Sequence, residues 1–161
     1  MHYHTTHINK VYEAMTAIAD HRIVIISRTS DLLWVETISA SVMTSSRDKS
    51  YIVTYQPTHR LIMSNDNSAY RNHEISYPMI ALMIELWELP RNDDQIDKLA
   101  NIHWKAINTQ HKNDRELSTS FVLNRIEKSW LDLTSLQHYA QTLFDRIQLM
   151  ELSPLGSRIR P

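Results

Sequence analysis

No cysteine occurs in the chain, and only one glycine, Gly156, close to its end. Without thiols there is no disulfide, no thiolate metal site and no cysteine nucleophile. The glycine shortage excludes more. Phosphate-cradling loops depend on glycine for positive φ and for close backbone approach. A Walker loop, a Rossmann turn and the nucleophile elbow of the common serine hydrolases each need two or more glycines. Those architectures, and the nucleotide chemistry many of them carry, are closed to this sequence.

An excess of either charge is also missing. Lys and Arg number 17 against 18 Asp and Glu, both signs spread along 161 residues. A basic face for a phosphate backbone is therefore not expected. No apolar run reaches the roughly 20 residues that cross a bilayer, Ile23–Ile26 and Leu32–Val35 being short. Residues 1–7 lack the basic start and apolar segment of a secretory signal. Together with the absent cysteines this leads to the expectation of a cytoplasmic protein without membrane contact. Hydrophobic residues at 42% and charged residues at 22% are globular values, so a single domain is expected over residues 1–152, with 153–161 as a C-terminal tail.

What is plentiful is apolar surface in one place. Pro78 and Pro90 bracket Met79-Ile-Ala-Leu-Met-Ile-Glu-Leu-Trp-Glu-Leu89. Proline is tolerated in a first helical turn and cannot continue a helix, so the two residues frame one helix of about three turns. Pro78, Ala81, Glu85 and Glu88 share a narrow strip, and large apolar side chains fill the remaining arc of about 220°. A surface helix shows a stripe of about 100° or somewhat more, so this one is expected to be covered on two or three sides. Either it is a core helix wedged between sheet and helices, or part of it meets a partner. Met and Trp are enriched at interfaces, which singles out Met79, Met83 and Trp87 as the candidate partner-binding residues.

Around that helix the periodicities alternate. Ile8, Val11, Met15 and Ile18 make one helical stripe ending near Asp20. Ile23–Ile26 reads as a short strand buried on both faces, and Arg28–Asp31 as a turn. Leu33–Met43, Tyr51–Gln56 and Arg60–Ser64 read as strands, with Ala69–Ile75 a short edge strand. Turn-length connections make these an antiparallel meander of three to five strands. One helix is expected from Asn92 or Asp93 to about Lys112. Leu117–Trp130 suits helix or strand, and the capping box Thr134-Ser-Leu-Gln137 opens a last helix with Leu136, Ala140, Leu143, Ile147 and Met150. The fold class expected is α+β: an N-terminal helix, the meander, and three or four C-terminal helices on the sheet.

Histidine is the one residue type that could carry chemistry, with nine copies. His2, His4 and His7 form H-x-H-x-x-H, which matches no closed zinc pattern and is read as a frayed N-terminus. His103 and His111 lie two turns apart, too far for one ion, and His103 falls on an apolar helix face. His59 and His73 stand near loops or strand edges, where catalytic groups concentrate. No site, cofactor or metal is assigned from these. The functional expectation is a small non-catalytic interaction module, a regulator, inhibitor or immunity-type binder that self-associates. The alternative is a histidine-dependent, metal-assisted hydrolase or nuclease.

Overall fold

The computed structural model describes residues 1–4 and 6–156. The chain begins with helix α1 (Asn9–Ala19). Strands β1 (Ile23–Ser30), β2 (Glu36–Met43), β3 (Ser50–Gln56) and β4 (Leu61–Ser64) follow, the last two joined by a 3-10 turn at Pro57–His59. Then come helices α2 (Asn67–Asn72), α3 (Tyr77–Glu85), α4 (Asp93–Asp97), α5 (Trp104–Gln110), α6 (Arg115–Lys128) and α7 (Leu133–Leu149). The two-residue strand β5 (Ser153–Pro154) is the last element among the described residues. This is the expected α+β class.

The sheet has the order β1-β2-β3-β4-β5, antiparallel except for the parallel β4–β5 pair. Its register puts Ile38, Tyr55 and Ile62 in one row and Ala40, Val53 and Ser64 in the next. All six are buried, and they form the floor of the core. Helix α3 lies over β3 and β4 and against α1. Every residue from Pro78 to Ile84 is buried, so sheet and α1 together supply the cover its wide apolar arc demands. Helix α1 in turn packs against α4, α6 and α7. The layers are therefore sheet, α3, α1 and an outer shell of helices.

Helix α1 is enclosed from Val11 to Ile18, which its single apolar stripe did not suggest. Two polar residues disguised it, and both are satisfied inside. Thr16 Oγ1 accepts a hydrogen bond from the Trp104 indole nitrogen at 2.9 Å. Glu13 accepts from Lys10 Nζ at 3.1 Å and from Asn108 Nδ2 at 2.8 Å.

Other boundaries differ from the sequence reading for local reasons. Strand β1 runs through Arg28-Thr-Ser30, and the turn comes later because Asp31 Oδ1 accepts from the backbone of both Leu33 and Val35. Ala69–Ile75 is not an edge strand: Asp66 caps α2 by accepting from Ala69 N, and only an isolated bridge joins His4 to Glu74. The single helix expected to reach Lys112 is broken into α4 and α5. Asn101 adopts φ +60° at the break, and its N–H donates to the Asp20 carboxylate at 2.7 Å. Asp114 caps the segment of undecided type as helix α6, and Asp132, not Thr134, caps α7. Ser153–Pro154, taken as the start of a tail, adds to the sheet instead, and Leu155 N donates to Ile62 O. Residues 157–161 of that tail lie outside the described residues.

Candidate interaction surface

The three residues singled out as a partner patch are separated by the fold. Met79 and Met83 are fully buried in the core, while Trp87 is 69% exposed. The physical reason is that α3 ends at Glu85, not at Pro90. The N–H groups of Glu88 and Leu89 both turn back to Met83 O, and Trp87 takes φ +60° to make that closure. Trp87 is thereby swung out of the helical arc, and Leu89 is returned to the core. Of the three, only Trp87 has surface to offer a partner.

A larger apolar surface lies on the β1–β2 hairpin. The Asp31 turn holds Leu32, Leu33 and Trp34 outward at 99%, 82% and 86% exposure. Arg28 and Glu36 pair across the base of this tip at 3.5 Å. Below it, Val24 and Ile26 are 61% and 56% exposed on β1. Val24 is opposite Ser41, which is opposite Ile52, so Val24 and Ile52 share one row on the sheet face turned away from α3. Ile52 is exposed as well. Short hydroxyl side chains share that face, with Ser39 bonded to Thr54 at 3.1 Å, and so do Met43, Gln56, Leu61 and Met63.

Strand β1 is also the edge of the sheet. It contains no proline and no lysine, the residues that commonly blunt such an edge. Its one irregularity is the register shift between Ile25 and Ser27. The sequence expectation for Ile23–Ile26 was a strand covered on both faces, and the fold of a single chain covers one. The apolar run was readable; its exposure was not, since composition does not say which chain provides the cover.

Trp130 is the third exposed tryptophan of the four in the chain, and it too has positive φ, +61°.

Among the described residues His4 and His73 meet edge-on with ring centroids 5.7 Å apart, and no carboxylate joins them in a metal-binding group. His2 Nδ1 bonds Ser153 Oγ at 2.8 Å, and His7 Nδ1 accepts from Asn9 N at 3.1 Å. The N-terminus is tied down, contrary to the frayed reading: Tyr3 N donates to Leu152 O and His4 N to His73 O. His73 is buried and stacks on Tyr3 with ring centroids 4.7 Å apart. His103 is exposed at the α5 N-terminus and not on an apolar face, because the helix starts after it. His59 is exposed, and His111 packs beside Phe121. Among the described residues no group of three or more His, Asp or Glu could hold a metal ion. No helix among them is long and apolar enough to cross a membrane.

Fold and surface together define an α+β domain with an uncovered sheet edge. The chain belongs to the family described as Uncharacterised conserved protein UCP014422, whose model matches residues 3–153. No curated protein and no solved structure matches it.

Proposed function

We propose that this protein is a non-catalytic interaction module that self-associates through the edge of its sheet. The occupant of the bare β1 edge is a second copy of the chain. Two β1 strands would pair antiparallel about a two-fold axis, the commonest symmetry of soluble oligomers. The single observation carrying this reading is Ile23–Ile26, a run with the composition of a doubly covered strand standing at an edge with Val24 and Ile26 exposed. An open edge offers unpaired N–H and C=O groups to another strand. Arg28, the only charge on β1, already pairs with Glu36 in its own hairpin, so two edges would meet without like-charge repulsion. Leu32, Leu33 and Trp34 would extend the contact beyond the strand, which a stable interface of about 800 Å² per partner needs. Trp34 at the hairpin tip fits the same role, because Trp is enriched at binding hot spots.

The test is the solution mass by light scattering at high micromolar concentration. A mass of twice 18.9 kDa is expected. A mass of one chain over the whole concentration range would overturn the reading.

A further inference from the structure

A polar cleft of about 260 Å³ lies on another part of the molecule, between α1, the start of β1, the β2–β3 turn and α5. Four cationic side chains line it, Lys10, Arg22, Lys49 and Lys105, against one carboxylate, Glu13. Glu13 is buried and committed to Lys10 and Asn108. Lys105 is committed to Asp48 at 3.0 Å, just outside the cleft. The hydroxyl of Ser46, then Lys105 and Thr44, hold the Asp48 carboxyl well below the usual carboxylate range, so it stays ionised. Among the described residues two positive charges, on Arg22 and Lys49, are left without a carboxylate in an ion pair.

Arg22 is the unusual one. It is 4% exposed, its Nη1 donates to Met43 O at 2.5 Å, and its Nε has no hydrogen-bond partner. Among the described residues no acidic side chain reaches it in an ion pair. A buried guanidinium without an anion is strongly disfavoured, and buried charges are as a rule paired. The geometry points to a small dianion bound from solution in this cleft, held by Arg22 and Lys49, and specifically to a phosphate monoester. Two uncompensated charges match a dianion, and the planar guanidinium fork suits phosphate oxygens. Lys49 stands over the Tyr51 ring at 5.1 Å, and Tyr77 and Trp104 complete an aromatic wall for the organic part of the ligand. Burial pushes the pKa of Tyr51 and Tyr77 up, so both phenols remain neutral donors toward an anion. The volume is below the range of drug-sized ligands, which limits the organic part to one small ring or a short chain.

Isothermal titration of the intact protein with inorganic phosphate, phenyl phosphate and succinate tests this. Phenyl phosphate should bind, more tightly than inorganic phosphate, and succinate at least tenfold more weakly. Arg22→Gln and Lys49→Ala should each weaken phenyl phosphate at least tenfold. Lys49 is exposed, so its variant stays informative if loss of the buried Arg22 prevents folding. No heat with either phosphate probe at millimolar concentration would overturn the assignment. So would succinate binding as well as phenyl phosphate, or a Lys49→Ala protein with unchanged affinity.

Discussion

Thr16 and Trp104 meet in the interior, one hydroxyl serving one indole N–H. Both residues are buried, so replacing the acceptor without changing the shape isolates the hydrogen bond. Thr16→Val should lower stability by about 1–3 kcal/mol, the desolvation penalty of the stranded N–H. Urea unfolding of both proteins measures it, and an unchanged midpoint would mean the pair contributes nothing. His7 sets a second residue-scale expectation. Burial, and then the Arg115 guanidinium, push its pKa below the ordinary 6.5, and Nδ1 accepts from Asn9 N, which requires the neutral ring. The unfolded chain therefore takes up this proton more readily than the folded one. The contribution is fully present above pH 6.5 and is lost as the pH falls through that value toward the folded one. Chemical unfolding at neutral and at mildly acidic pH should show a smaller acid loss in His7→Asn than in the parent.

At the scale of elements, the chain turns corners with residues that would ordinarily be glycine. Eleven described residues other than glycine have positive φ, among them Trp34, Trp87 and Trp130. A left-handed backbone costs a residue with a Cβ about 1–2 kcal/mol. At the corner after α3, Trp87→Gly should therefore be more stable than Trp87→Ala by about 1 kcal/mol, read from unfolding midpoints. Equal midpoints would show the corner to be unstrained. These corners also explain what the sequence hid. The glycine and asparagine signals that mark helix ends were absent at Trp87 and Trp130, so α3 was drawn four residues too long. Helix α1 was recognised from one apolar stripe, but its full enclosure was not legible, since Thr16 and Glu13 find partners on segments roughly ninety residues away. By contrast the antiparallel meander was readable, because Tyr51, Val53 and Tyr55 alternate with Ile52, Thr54 and Gln56 and turn-length connections join the successive strands. The candidate surface was readable only in part. Trp87 was named and is exposed, but Met79 and Met83 belong to the core, and Leu33–Val35 was read as the start of a strand that begins at Glu36, because apolar residues in a row look alike in a core and at a surface.

On the scale of the whole molecule, α1 and α3 form an enclosed centre and β1 an unfinished margin. The centre accounts for how a chain of this size folds without disulfides, since its apolar residues form one continuous cluster from Val11 to Leu152. The margin places apolar side chains in water beside open backbone groups, the arrangement that sheet proteins ordinarily avoid. Pairing with a second copy resolves both at once. The most direct test is sedimentation equilibrium of the parent protein beside Ile26→Lys. Ile26 is exposed, so a lysine there leaves the single-chain fold intact and blunts the edge. The parent should sediment as a dimer and Ile26→Lys as a monomer with an unchanged circular dichroism spectrum. A parent that sediments as one chain, or a lysine variant that remains dimeric, would contradict the account.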